Sequence, residues 1–158
     1  MAKWTAHGNI VRSLVFTRDG KGLVSSSGDG TWKYWDIDLL EMNMTKDRTA
    51  GRKIKVMADT VRPSHVPVPP FLLTQVVFYP SATQNDISSI AISPDGQWVV
   101  SASADHAVRI WDLRNGALQC TLSGHKVRVW SVDFYPTGNY LASGSEDGRV
   151  ALWRYEAA

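Results

Sequence analysis

Short runs of alternating apolar and polar residues make up most of this chain, and turn-forming residues separate the runs. The first segment contains three of them, from Ile10 to Phe16, Leu23 to Ser27 and Thr31 to Asp36. Arg18-Asp19-Gly20 and Gly28-Asp29-Gly30 lie between them. A period of two residues combined with Asp-Gly turns is typical of antiparallel β-hairpins. Because no segment shows the period of a helix, the pattern predicts an all-β fold.

The same arrangement occurs three times without gaps, over residues 7–36, 83–112 and 125–154. Each copy contains a Ser, an Asp four residues later and a Trp six residues after that. We predict three antiparallel strands in each copy and a fourth strand in the connection after the second copy, from Ala117 to Leu122. The residues at the repeated offsets are Ser25, Asp29 and Trp35, Ser101, Asp105 and Trp111, and Ser143, Asp147 and Trp153.

The spacing of the copies indicates a propeller blade. The second and third copies begin 42 residues apart, which matches the roughly 40–45 residues of a four-stranded blade. The first and second begin 76 residues apart. The extra residues between the first two copies are rich in basic residues and proline, so we predict an inserted flexible loop over residues 38–70. This loop is either solvated or a docking segment. A strand from Phe71 to Tyr79 should follow it.

Three blades are too few to close a ring, since propellers contain roughly four to eight. We therefore predict one partial propeller domain over residues 1–158, with about three four-stranded blades. A fragment of a larger propeller, a truncated gene product and an assembly of partial rings all fit this pattern, and we favour the first two. Open blade edges and faces also predict self-association.

Composition excludes several classes of protein. Lys and Arg number 17 and Asp and Glu 15 among 158 residues, so direct binding to nucleic acid is not expected. Cys120 is the only cysteine, which excludes an intrachain disulfide and a cysteine-based zinc site. The sequence shows neither a signal peptide nor an apolar run of ~18 residues. We expect a protein that is not secreted, does not bind membranes and uses no metal or cofactor.

Trp35-Asp36, Trp111-Asp112 and Gly124-His125, together with the Ser-x3-Asp-x5-Trp spacing, resemble the WD-repeat family. A closer likeness, to the last blades of the fungal Tup-type transcriptional co-repressors related to Groucho, rests on GKGLVSSSGDGTWKYWD, GQWVVSASADHAVRIWD and the terminal Trp-Arg-Tyr. The long insertion after the first blade also fits those proteins. The resemblance implies a β-propeller that acts as a docking platform.

The resemblance also implies a hydrogen-bonded tetrad in each complete blade, in which Trp bonds to Ser, Ser to His and His to Asp. A fully satisfied buried network of this kind makes a core rigid. In the second copy Thr83 replaces the histidine, so we expect that blade to be less stable and Thr83→His to raise the melting temperature. The implied members are His7, Ser25, Asp29 and Trp35, then Ser101, Asp105 and Trp111, then His125, Ser143, Asp147 and Trp153.

Histidine, serine and aspartate are also the ingredients of nucleophilic catalysis. The sequence shows no oxyanion pocket, however, and enzymes rarely repeat one triad in tandem. We therefore predict no catalytic residues.

In WD-repeat propellers certain positions of each blade form the rim of the central channel. The resemblance implies that the matching residues of this chain form a protein-binding surface. Lys126, Arg128 and Trp130 form a basic and aromatic cluster, and Arg and Trp are enriched in interface hot spots. The hypothesis is that Arg12, Arg128 and Trp130 contact an acidic or amphipathic peptide; alternatively, Trp130 packs on a neighbouring blade and the charges are solvated. The predicted binding residues are Arg12, Asp86, Lys126, Arg128, Trp130 and Glu146.

The function that the resemblance implies is a non-catalytic scaffold for protein–protein interactions in the nucleus, part of a co-repressor that docks transcription factors or other regulatory proteins. One alternative is a cytoplasmic WD-repeat adaptor that recruits substrates to a ubiquitin ligase or belongs to a vesicle coat. The other is a truncated copy with no independent function.

Overall fold

Ten strands form three antiparallel sheets in the computed structural model, which describes residues 5–37 and 85–155. Sheet I contains β1 (Val11–Phe16), β2 (Gly22–Ser27) and β3 (Trp32–Asp36). Sheet II contains β4 (Ile87–Ile92), β5 (Trp98–Ser103), β6 (Ala107–Asp112) and β7 (Leu118–Ser123). Sheet III contains β8 (Val129–Phe134), β9 (Tyr140–Ser145) and β10 (Val150–Arg154). The predicted all-β fold is confirmed.

Consecutive strands pair with each other in every sheet, as the repeated turns predict. Sheet II has four strands, and β7 pairs with β6 close to where the sequence placed the fourth strand. Sheets I and III each show three strands within the described residues. Residues 38–84 lie outside them, and with them the predicted loop over 38–70, the predicted strand from Phe71 to Tyr79 and position 83.

The turns explain why these sequences form hairpins. In sheet II the Asp95 carboxylate accepts hydrogen bonds from the Ser93 hydroxyl at 2.5 Å and from the backbone N–H of Gln97 at 3.0 Å. Gly96 then takes a φ of 72°, a left-handed conformation that glycine adopts without steric cost. The turn therefore reverses the chain and sets the register of β4 against β5.

Sheet II lies between the other two sheets, and both of its faces are covered. Towards sheet I it contributes Ile87, Ile90, Val99 and Trp111, which pack against Val24 and Trp32. Towards sheet III it contributes Ala91, Val100, Ala102, Val108 and Ile110, which pack against Val129, Val132, Phe134 and Leu141. Among residues 5–37 and 85–155 the three sheets do not close into a ring, as predicted, and no further described sheet packs on the outer face of sheet I or of sheet III.

A β-bulge interrupts the first strand of every sheet at the same place. The pairing register shifts between Val11 and Ser13, between Ile87 and Ser89, and between Val129 and Ser131. Bulges leave one residue unpaired and redirect its side chain. The redirected residues are Arg12, Ser88 and Trp130, all at the end of the molecule where the first strands begin, which we call the upper rim.

Described residues include no helix long and apolar enough to cross a membrane.

Candidate functional site

One backbone hydrogen bond at the upper rim recurs in all three sheets. The N–H of the residue before each turn aspartate donates to a carbonyl just ahead of the first strand. Its length is 2.9 Å from Gly28 to Ile10, 2.9 Å from Ala104 to Asp86 and 3.0 Å from Glu146 to Arg128. Each sheet therefore fixes the start of its first strand against its own turn in the same way.

A charge cluster crosses the rim from sheet I to sheet III. Arg12 binds Asp86 through two atoms, with Nε 3.1 Å from Oδ1 and Nη2 2.7 Å from Oδ2. Nη1 of Arg128 lies 3.3 Å from the same Oδ2. Two-point contacts between guanidinium and carboxylate fix orientation as well as charge. One carboxylate from the middle sheet therefore joins arginines from both outer sheets.

The Trp130 ring lies beside this cluster and is open to solvent. Trp130 as a whole is 45% exposed, and Cζ of Arg128 lies 4.7 Å from the centroid of its ring. A guanidinium over an indole face is attracted by the ring quadrupole. Arg128 therefore holds the ring in one orientation while leaving much of its surface free for a partner.

Lys126 and Glu146 complete the predicted surface, and both are exposed. Within residues 5–37 and 85–155 neither forms an ion pair. The side chain of Asp86, by contrast, is only 13% exposed and already binds two arginines. The structure therefore brings Arg12, Asp86 and Arg128 together, but it gives Asp86 a bridging position that the sequence did not indicate.

In sheet I the four predicted tetrad side chains are in contact. Trp35 Nε1 donates to Ser25 Oγ at 2.8 Å, and Ser25 Oγ lies 2.7 Å from His7 Nε2. His7 Nδ1 is 3.1 Å from Asp29 Oδ2. Because a carboxylate can only accept, Nδ1 carries the hydrogen and Nε2 accepts from the serine hydroxyl.

Burial lowers the pKa of His7, and the nearby Asp29 carboxylate opposes that effect without cancelling it. Burial acts to raise the pKa of Asp29, but hydrogen bonds from Thr31 and Gly8 and the charge of His7 outweigh it and leave the pKa below its usual value. Burial therefore disfavours the protonated form of His7, while the hydrogen bonds to Asp29 favour its ionised form.

In sheet II the turn aspartate binds a different partner. Trp111 Nε1 donates to Ser101 Oγ at 2.9 Å, but Asp105 accepts from Nη1 and Nη2 of Arg109 at 3.0 and 2.6 Å. Burial acts to raise the pKa of Asp105, and the bonds from Arg109 and Ser103 outweigh it and lower the pKa. The sequence missed this pair, although an arginine four residues after the aspartate was the available signal.

Sheet III also departs from the predicted tetrad. His125 Nε2 is 2.7 Å from Ser143 Oγ, and Trp153 Nε1 donates to the same oxygen at 2.8 Å. Asp147 instead accepts from the Ser145 hydroxyl and from the backbone N–H of Arg149. The turn is exposed, and its own donors satisfy the carboxylate, so Asp147 is not brought to His125.

The Ser-His-Asp contact of sheet I is poorly placed for hydrolysis. Ser25 is 1% exposed and His7 is 8% exposed, so a substrate cannot approach the hydroxyl. A nucleophile needs access and an adjacent oxyanion site. Among the described residues, no group of three or more His, Cys, Asp and Glu side chains is placed to hold a metal ion.

A cleft that sequence reasoning missed lies between sheets I and II at the end opposite the upper rim. Its volume is about 440 Å³, and Arg18, Tyr34, Asp95 and Arg114 are among its lining residues. Arg18 Nη1 donates to the carbonyl of Pro94 at 2.7 Å and ties the two sheets together. The matching turns of the first two copies were the only sequence signal for it.

Comparison with known proteins identifies the repeat. The family model described as "WD domain, G-beta repeat" matches residues 1–36, 74–112 and 116–154. The crystal structure of the RRP9 WD40 repeats superimposes with a TM-score of 0.65 at 22% identity, covering 95% of this chain and 37% of that one. That likeness supports the propeller arrangement of the three sheets.

Two relatives carry names that place them in transcription. The transcriptional repressor rco-1 of Neurospora crassa is 46% identical over 74 residues, covering 44% of this chain and 12% of the relative. Transcription initiation factor TFIID subunit 5 of Caenorhabditis elegans is 26% identical over 172 residues, covering 96% of this chain and 24% of the relative. The chain therefore spans a quarter or less of the length of either protein.

Proposed function

Because the chain belongs to the WD-repeat family, we propose that it is a non-catalytic scaffold that binds a protein partner on its upper rim. The observation that carries this proposal is the cluster that Arg12, Asp86 and Arg128 build across all three sheets. Ion pairs that connect separate sheets hold the rim in one shape before a partner arrives. A preorganised surface binds more tightly because less conformational freedom is lost on association.

The chemistry of the rim favours an acidic, amphipathic peptide. Trp130 offers an exposed aromatic face, and the neighbouring Lys126 is a cation without an ion pair in the described part of the chain. Asp86 neutralises part of the charge of the two arginines, so the arginines orient the surface and Lys126 supplies the free charge. An apolar partner residue would cover the indole while partner carboxylates face Lys126 and Arg128.

Binding of synthetic amphipathic peptides with graded numbers of Asp and Glu residues tests this proposal by fluorescence anisotropy. We expect affinity to rise with peptide charge and to fall as salt is added. Trp130→Ala should weaken binding at least about tenfold, the effect typical of an interface hot spot. Lys126→Glu should weaken the acidic peptides selectively.

Tyr135→Ala is the matched control, because Tyr135 is an exposed aromatic residue at the other end of β8. This variant should bind as the wild type does. Equal binding by Trp130→Ala and the wild type, or loss of binding in Tyr135→Ala alone, would remove the upper rim as the binding surface.

For the biological partner, we propose DNA-binding regulators of transcription in the nucleus, as expected of a co-repressor component. The likeness to the repressor rco-1 and to a TFIID subunit supports this assignment. Affinity capture from nuclear extract with wild-type and Trp130→Ala chains tests it. The proposal requires that DNA-binding regulators be retained by the wild type only; retention of ubiquitin-ligase or coat components instead would favour an adaptor role.

A further inference from the structure

The outer faces of sheets I and III each include large apolar side chains that no other described residue covers, although Ala6 and Ile37 pack on Leu23 and Trp35 elsewhere on the outer face of sheet I. Leu14 and Phe16 on sheet I are 61% and 66% exposed, and Val150 and Leu152 on sheet III are 78% and 69% exposed. Soluble chains rarely leave several large apolar side chains exposed on one sheet face without a partner for them. Each of these exposed apolar areas is therefore a candidate contact surface.

Strand register shows which positions of the three sheets are equivalent, and therefore what each exposed face would pack against. Leu14 and Phe16 pair with Ser25 and Leu23, just as Ile90 and Ile92 pair with Ser101 and Val99 in sheet II. The corresponding positions of sheet III are Val132 and Phe134, which pair with Ser143 and Leu141. In sheets II and III this face packs on the preceding sheet, and Ile90, Val132 and Phe134 are all buried.

The opposite face obeys the same rule. Val150 and Leu152 of sheet III pair with Gly144 and Ala142, as Val108 and Ile110 of sheet II pair with Ala102 and Val100. Val108 and Ile110 are buried against sheet III, and the equivalent face of sheet I, with Val24 and Trp32, is buried against sheet II. The described strands thus contain two copies of one sheet–sheet contact and leave both halves of a third exposed.

We propose that two copies of this chain associate head to tail, with the Val150 and Leu152 face of each packed on the Leu14 and Phe16 face of the other. The contact would repeat the one that already joins sheet I to sheet II and sheet II to sheet III. A head-to-tail contact forms a closed ring when its rotation allows. Two copies bring six sheets together, within the roughly four to eight that propellers contain.

One residue makes this contact weaker than the two internal ones. Asp133 pairs with Ala142 and therefore shares the outer face of sheet III with Leu152, whereas Ala91 holds the equivalent place in sheet II. Bringing a carboxylate into an apolar contact costs free energy. The association of the two copies should therefore be weak, and Asp133→Ala should make it tighter.

Sedimentation velocity of the 158-residue chain over a range of concentrations tests the proposal without any peptide, so it is independent of the proposed function. The wild type should shift reversibly from its monomer mass of 17.5 kDa to twice that mass. Phe16→Glu and Leu152→Glu should each lower the association constant at least about tenfold, because each buries an unpaired charge. Asp133→Ala should raise it.

Mixing Phe16→Glu with Leu152→Glu separates this arrangement from a symmetric one. A head-to-tail pair of the two variants keeps one intact interface, so the mixture should associate more strongly than either variant alone. A face that pairs with its own copy would instead be insensitive to one of the two substitutions. Leu118→Glu is the control, since Leu118 is exposed on β7 of sheet II, away from both outer faces.

All four substitutions replace exposed side chains, and circular dichroism melting curves should confirm that each variant folds. A wild-type chain that stays monomeric throughout would overturn the proposal. Assemblies larger than two copies would also overturn it. So would an association constant that either Glu substitution leaves unchanged, or a mixture of the two variants that associates no more strongly than either variant alone.

Discussion

A single hydroxyl, that of Ser25, connects two buried rings in sheet I, because it lies within hydrogen-bond distance of both Trp35 Nε1 and His7 Nε2. The residue types and offsets of this contact are visible in the sequence. Hydrogen bonding in sheets II and III is less predictable, since Asp105 and Asp147 have competing donors nearby. The choice among donors depends on side-chain rotamers and exposure, which spacing along the chain does not encode.

His7 should make the stability of the chain depend on pH. Its pKa in the folded state lies below the usual 6.5, so between these two values the unfolded chain binds more protons than the folded chain. Stability must then fall as the pH is lowered through about 6.5 and recover as it is raised. The charge of Lys33 adds to the lowering of the pKa, and Asp29 opposes it.

Urea unfolding at a series of pH values from about 8 to 5 measures this dependence. The His7→Gln variant lacks the titrating group and should show a shallower loss of stability towards acid. An identical slope in the wild type and in His7→Gln would show that folding does not lower the pKa of His7.

Each sheet has one inner strand whose bulge directs a side chain onto the upper rim, and this was not foreseen from the sequence. The alternation of apolar residues predicted the strands, and the Asp-Gly turns predicted the hairpins between them. The bulges at Arg12, Ser88 and Trp130 leave almost no trace in that alternation, because an unpaired residue at a strand end resembles a loop residue. Their repetition becomes visible only when the pairing register is known.

Within sheet II, Arg109 on β6 forms an ion pair with Asp105 in the preceding turn. The side chains are 11% and 17% exposed, so removal of either partner leaves a largely buried charge. In a double-mutant cycle with Arg109→Gln and Asp105→Asn, we expect a coupling free energy of about 1–3 kcal/mol, measured by urea unfolding.

The corresponding turn of sheet III supplies the comparison. Arg149 and Asp147 lie 3.6 Å apart with side chains 71% and 29% exposed, and solvent screens such an exposed pair, so its coupling should be weaker. Equal coupling in the two turns would mean that the Asp105 pair contributes no more than a surface ion pair.

Across the whole molecule, distant parts of the sequence meet in ways that only the fold determines. Arg12 and Asp86 are 74 positions apart in the chain, and both reach the upper rim because equivalent strands begin at the same level. The repeat allowed the stack of sheets and its open outer faces to be predicted. Shared use of Asp86 by two arginines could not be predicted, since it depends on the distance between sheets.

Hydrogen–deuterium exchange of the wild-type chain, with and without its tightest-binding acidic peptide, tests the central claim most directly. The account predicts that the peptide slows exchange at the upper rim, in the backbone around Arg12, Asp86 and Lys126 to Trp130, and leaves the opposite end unchanged. Slower exchange confined to the turns around Arg18 and Asp95, with none at the upper rim, would contradict it.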